Sequence, residues 1–248
     1  MVRAVVTGAS SGIGAAFAEE LGRRGTPVLL VGRDAARLAE VAARVPGGST
    51  LVADLSTDEG VAAVCAELTA GPVSLLVNNA GTGGLGALQD QAPAAIAEQV
   101  RVNLTAVAQL TAAALPGMLE RGTGGVVFVS SSAVPHPTPH IPVYTATKEG
   151  TEALARSLRA DVGRRGVRIT VVRPGYTRTA FHERQGEDVS AVPEREWVSP
   201  QRVARAALDG HDRGRVLVRI PDRRLQNVTN RIVRGVLRRL LRPFGVRM

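Results

Sequence analysis

At 248 residues with 44% hydrophobic content, the chain can bury one sizeable core and needs no second domain. Cys65 is the only cysteine, which excludes an internal disulfide, and no run of eighteen consecutive apolar residues occurs, which argues against a membrane-spanning helix. The net charge of +9 is uneven, because residues 202–248 hold thirteen Arg against three Asp, and aromatics are only 3%, so the core must be built from Val, Leu, Ile and Ala.

The first apolar, β-branched run is 2–6, so close to the start that no signal peptide is expected before it and a cytoplasmic location fits. Thr7-Gly8-Ala9-Ser10-Ser11-Gly12-Ile13-Gly14 follows, then a helix-like stretch at 15–24. This order predicts a strand, a tight turn and a helix: Gly8 for the turn, Gly12 for close approach of backbone to a pyrophosphate, Gly14 for close helix packing. Further strand-like runs at 27–31, 50–53, 74–77, 126–130, 168–172 and 215–220 alternate with helix-like stretches at 35–44, 57–69, 94–119 and 143–164. Alternation of this kind predicts an α/β fold, a Rossmann-type doubly wound parallel sheet of seven strands in one domain over 1–222. Residues 223–248 are expected to form its basic amphipathic helical extension, with apolar residues from Leu225 to Phe244 at three- and four-residue steps and arginines opposite. Two segments resist the pattern, 133–142, rich in Pro and His, and the long polar stretch 176–199 with Phe181 and Trp197. Both follow strand ends, where ligands bind in open α/β sheets.

Lys148 is the single lysine beside thirty arginines, and it stands four residues after Tyr144. On a helix the two share a face, so a compact ammonium can lie near a phenol and favour its ionised form. Lowering the phenol by about three units takes roughly 4 kcal/mol. An ordinary exposed Tyr and Lys on one helix would give the same spacing.

The ordered set of motifs, T-G-A-S-S-G-I-G at 7–14, Asp54, Asn78-Asn79-Ala80-Gly81, Asn103, Ser131, Tyr144 with Lys148, and Pro174-Gly175 before Thr179, resembles the compact, single-domain branch of the short-chain dehydrogenase/reductase family. The resemblance covers residues 2 to about 179. It implies an NAD(P)-dependent oxidoreductase interconverting a carbonyl and an alcohol, with Ser131 orienting the carbonyl, Tyr144 passing the proton, Lys148 tuning Tyr144 and holding the nicotinamide ribose, and Asn103 supporting a relay from a helix distortion. Cofactor contacts carried over are Gly8, Ser10, Ser11, Gly12, Ile13 and Gly14, Asp54 and Leu55 near adenine, Asn78, Asn79, Ala80 and Gly81 on the adenosine side, and Pro174, Gly175, Thr177 and Thr179 at the nicotinamide.

Family members that use NAD usually carry an acid where Gly32 stands, and the next residue here is Arg33, suited to the 2′-phosphate of NADP(H), which is therefore favoured over NAD(H). Asp34 is the rival contact but also the natural N-cap of the following helix. His136 and His140 lack a metal-like partner set, so no metal is expected. The chain departs from the family near 215–221, where a segment used in tetramer packing is missing, so a dimer is favoured. The amphipathic tail packs on protein in the first reading and contacts anionic lipid in the second, which would make the enzyme a membrane-surface reductase of lipophilic substrates. No nucleic-acid partner is expected, because Phe244 is the tail's one stacking aromatic. A cofactor-sensing protein without turnover is the rival class. The intact Ser131, Tyr144 and Lys148 set speaks for the enzyme, whose partner is a small-molecule carbonyl or alcohol.

Overall fold

The computed structural model describes residues 2–134 and 138–221, so the helix expected at 225–244 and His136 lie outside the described residues. Seven strands form at the expected apolar runs: β1 (Arg3–Thr7), β2 (Val28–Gly32), β3 (Gly48–Val52), β4 (Val73–Asn78), β5 (Gly124–Val129), β6 (Val167–Pro174) and β7 (Leu217–Ile220). They pair in parallel in the order β3-β2-β1-β4-β5-β6-β7. The helices are α1 (Gly12–Arg23), α2 (Ala35–Ala42), α3 (Asp58–Thr69), α4 (Pro93–Val100), α5 (Ala106–Arg121), α6 (Pro142–Val162), α7 (Phe181–Arg184) and α8 (Pro200–Asp212). The result is the expected Rossmann-like, doubly wound single domain.

Strand side chains alternate between two cores, as the period of two requires. On one face Ala4, Val6 and Leu30 meet Phe17 of α1, Leu38 of α2 and Val203 and Leu208 of α8. On the other, Val5, Leu76 and Phe128 meet Val64 of α3, Leu110 and Met118 of α5 and Ala155 of α6. Side-chain caps start three helices: Asp34, Thr57 and Ser199 each accept a backbone N–H, from Arg37, Gly60 and Arg202. Each satisfies a donor the helix itself leaves unpaired.

Two helical features bear on the sequence reading. The helix-like stretch over 94–119 is α4 and α5 joined by a π turn at Arg101–Thr105, which is the helix distortion that the resemblance implied at Asn103. The stretch Pro93–Arg121 is long and apolar enough to cross a membrane, with hydropathy 1.3, yet the π turn interrupts it and α5 lays Val107, Leu110, Ala114 and Met118 on the sheet. It is a core helix. The second feature is α8, which the sequence reading omits. It packs Val203, Ala204, Ala207 and Leu208 beside α1.

From edge strand β3 the chain crosses back to place β4 beside β1. Helices then leave the two neighbouring strands on opposite faces, and the loops at their carboxyl ends part to form a cleft of about 590 Å³.

Candidate active site

The glycine turn is fitted too closely for any side chain. Gly8 and Gly12 adopt φ of 65° and 58°, in the left-handed region that favours glycine. A Cβ on Gly14 would sit 2.2 Å from the Gly8 carbonyl oxygen, and one on Gly8 would sit 2.9 Å from the Ala80 Cα. Gly8, Ser10, Ser11, Gly12 and Ile13 line the cleft, while Gly14 lies behind the turn and supports it. The N-terminus of α1 opens on the same space, with free N–H groups suited to an anion.

Thr7, which sequence reasoning left as part of a motif, ties the two strands together. Its Oγ1 accepts the N–H groups of Asn79 and Ala80, each at 3.0 Å. Asn79, Ala80 and Gly81 line the cleft. Asn78 does not: it is buried, and its amide donates to Thr111 Oγ1 at 3.0 Å, so its expected place on the adenosine side is corrected. Strand alternation turns it to the helix-covered face.

At the far end Arg33, Asp54 and Leu55 line the cleft, with Arg33 Nη1 3.5 Å from Asp54 Oδ2. Burial pushes the Asp54 carboxyl up, but hydrogen bonds from the Ser56 backbone and hydroxyl, with Arg33 beside them, outweigh it and hold the group below its ordinary value. Asp34 caps α2, as its position after the strand predicts. A Cβ on Gly32 would lie 3.5 Å from Ser10 Oγ, so Ser10, Gly32 and Arg33 gather at one corner. Arg37 also lines that corner and was missed.

Ser131, Tyr144, Lys148, Pro174, Gly175, Thr177 and Thr179 line the opposite end. Tyr144 and Lys148 share one face of α6, with Nζ 5.8 Å from the ring centroid. Ser131 accepts the Ala133 N–H at 3.1 Å and lines the cleft beside the Tyr144 phenol, whose ionised form its hydroxyl favours. Ser130, its neighbour, turns away to donate to Glu152 at 2.7 Å. Lys148 is buried and donates to the Val129 carbonyl at 2.9 Å. Asn103 projects from the π turn into the wall: its Oδ1 accepts the Thr82 N–H at 2.9 Å, and its amide donates to the Thr82 carbonyl at 2.8 Å and to Thr147 at 3.1 Å. A Cβ on Gly81 would meet Asn103 Oδ1 at 3.2 Å and Lys148 Nζ at 3.3 Å, so only a glycine leaves those two groups facing one gap.

Electrostatically this end differs from the sequence expectation. Burial pushes the Tyr144 phenol above its ordinary value, the Ser131 hydrogen bond pulls it back, and Glu187 pushes it further up. Burial also lowers Lys148 to about 8. Desolvation therefore outweighs the attraction that the i, i+4 spacing predicts, because the ammonium is itself dry and committed to Val129.

The glycine cradle, the helix N-terminus and the paired arginines fit a dinucleotide whose pyrophosphate lies across the switch point. The sequence profile of the short chain dehydrogenase family matches residues 3–190. The chain belongs to the short-chain dehydrogenase family. It is 32% identical over 221 residues to the very-long-chain 3-oxoacyl-CoA reductase of Anas platyrhynchos, a match covering 83% of this chain and 67% of that protein. A short-chain dehydrogenase from Sphingobium yanoikuyae in complex with NADPH superposes with a TM-score of 0.86 at 31% identity, covering 100% of this chain and 97% of that one. The bulky-bulky ketone specific alcohol dehydrogenase from Comamonas testosteroni superposes at 0.81 with 28% identity, covering 100% and 96%. As a short-chain dehydrogenase, the protein is an oxidoreductase of carbonyl and alcohol groups that binds a nicotinamide cofactor.

Proposed function

We propose that the protein is an NADP(H)-dependent carbonyl reductase or alcohol dehydrogenase in which Tyr144 is the acid/base. The observation that carries this reading is the meeting of the Ser131 hydroxyl and the Tyr144 phenol at the cleft wall, with Lys148 on the same helix face. A bound nicotinamide supplies or accepts the hydride. Ser131 and Tyr144 each offer a hydroxyl to one carbonyl oxygen, so the charge developing there meets two fixed donors. A phenol held above its usual pKa keeps its proton at neutral pH, which suits the reduction direction, where Tyr144 must give it up to the alkoxide. Lys148 and Asn103 face the Gly81 gap and are placed to pass a replacement proton inward.

Ser10, Arg33 and Arg37 at one corner, with no acid at position 32, support NADP(H) over NAD(H). The NADPH-bound Sphingobium relative and the ketone-specific Comamonas relative agree with the reading. Incubating the purified protein with NADPH and a panel of ketones and aldehydes tests it. Cofactor oxidation is expected for at least one class and is expected to fall by about 100-fold or more in Tyr144→Phe while NADPH affinity persists. No turnover with any carbonyl would reject the proposal.

A further inference from the structure

Beside the catalytic wall lies a second pocket of about 300 Å³, bounded by Leu85, Ile141, Tyr144, Tyr176 and Phe181, with His182 and Glu187 on one side. Its outer wall is an aromatic cluster. Tyr176 packs on His182 at 5.4 Å and on Trp197 at 5.7 Å between ring centroids, and Phe181 meets Tyr144 at 6.0 Å. Large rigid faces of this kind suit a bulky apolar group.

The polar side of the pocket is acidic. Glu187 Oε2 lies 2.5 Å from His182 Nδ1. An ionised carboxylate only accepts, so Nδ1 carries the proton, and Oε1 keeps acceptor capacity beyond the bond to His182. Among the described residues no Lys or Arg lines this pocket. The nearby Arg178 instead stacks on Trp197 at 5.2 Å and pairs with Glu194. The Glu187 charge also reaches both tyrosines, pushing each phenol upward.

Taking the carbonyl-reduction reading of the adjoining wall as given, we infer that this pocket selects ketones with a bulky apolar body, favours those bearing an ammonium group toward Glu187, and rejects those bearing a carboxylate there. A carboxylate entering the pocket would face Glu187 at close range with no Lys or Arg among the described lining residues to balance it, whereas an ammonium would gain a charge-assisted bond and aromatic faces beside it.

Three aryl ketones of one shape, ending in a carboxylate, an amide or an ammonium, test the inference. Their dissociation constants are read from the fluorescence of Trp197, the only tryptophan, in the full chain saturated with NADP⁺. The expected order is ammonium tightest and carboxylate weakest, with carboxylate and amide separated by about tenfold or more. In Glu187→Gln the spread is expected to collapse to about twofold. A carboxylate ketone that binds wild-type protein as tightly as the amide overturns the inference, as does an unchanged spread in the variant. The wild-type order alone decides the matter if the variant does not fold. NADPH oxidation with the amide ketone is followed in parallel: turnover with a flat ranking strikes the inference alone, and an intact ranking without turnover strikes the reductase reading alone.

Discussion

Arg173 on β6 donates two hydrogen bonds to Glu152 on α6, from Nε to Oε1 at 2.6 Å and from Nη2 to Oε2 at 2.5 Å. Ser130 adds a third at 2.7 Å, and Glu152 stands four residues beyond Lys148 on the same helix. The pair thus pins the catalytic helix to the strands on either side of Ser131. Glu152→Ala would leave a guanidinium buried without its partner and is expected to cost about 3–5 kcal/mol in urea denaturation. Adding Arg173→Met to that variant should restore much of the loss. A single variant as stable as wild type would show the pair to be energetically idle.

Lys148 makes a second test, with an unusual sign. Its folded pKa of about 8 lies below the ordinary lysine value of 10.5, so between those values the folded state holds fewer protons than the unfolded one. Stability should therefore rise with pH across that window, and the penalty of a dry ammonium should be felt in full below it. Lys148→Met removes that penalty. The variant is expected to be more stable than wild type at pH 7, by up to about 3 kcal/mol, with the difference shrinking toward pH 10. Equal stability at both pH values would place the ammonium in water.

His211 on α8 gives a slope of the same sign in a lower pH window. Thr170 Oγ1 donates to the Arg215 carbonyl at 2.9 Å and lies 3.0 Å from His211 Nδ1, so Nδ1 is the donor of that second bond and Nε2 faces Gly125. Burial lowers the imidazole to about 4 from 6.5. The folded state keeps it neutral, and stability should fall as pH drops from 6.5 toward 4, by about 3 kcal/mol in all. Glu20, lowered to about 2 from 4.5 by hydrogen bonds from Arg23 and then Arg24, contributes its own loss only below 4.5. The interval from 6.5 to 4.5 therefore reports His211. His211→Gln should flatten it, and a slope unchanged in the variant would assign it elsewhere.

For cofactor choice, Arg33→Ala should weaken NADPH by about tenfold or more and leave NADH within about twofold, because only NADPH carries the phosphate. Arg37→Ala should add to the effect. Equal weakening of both cofactors in a fluorescence titration would remove the phosphate contact from the account.

The strands were readable because a parallel sheet buried on both faces demands unbroken apolar runs, and β2 and β4 are almost nothing else. The Gly8, Gly12 and Gly14 turn was equally legible, since its backbone geometry admits no substitute. Helix α8 was not, because its buried side contains Gly210 and His211 beside small apolar residues. The electrostatics at Tyr144 were misread for a different reason. A spacing of four residues fixes which groups are neighbours, but not how dry their surroundings are, and here burial decides the direction. Arg37, the Thr7 clasp and the Glu187 side of the second pocket depend on contacts between distant segments, which local pattern does not encode.

The reversal of strand order between β3 and β4 has a mechanical consequence. One jaw of the cleft, from Gly8 to Asp54, is carried by β1, β2 and β3, and the other, from Asn79 to Thr179, by β4, β5 and β6. Within the sheet the jaws are joined by the single β1–β4 seam. A long ligand lying over that seam becomes a strut, and amide exchange should slow on both sides of it together, in β2 as in β5, which share no hydrogen bond with each other.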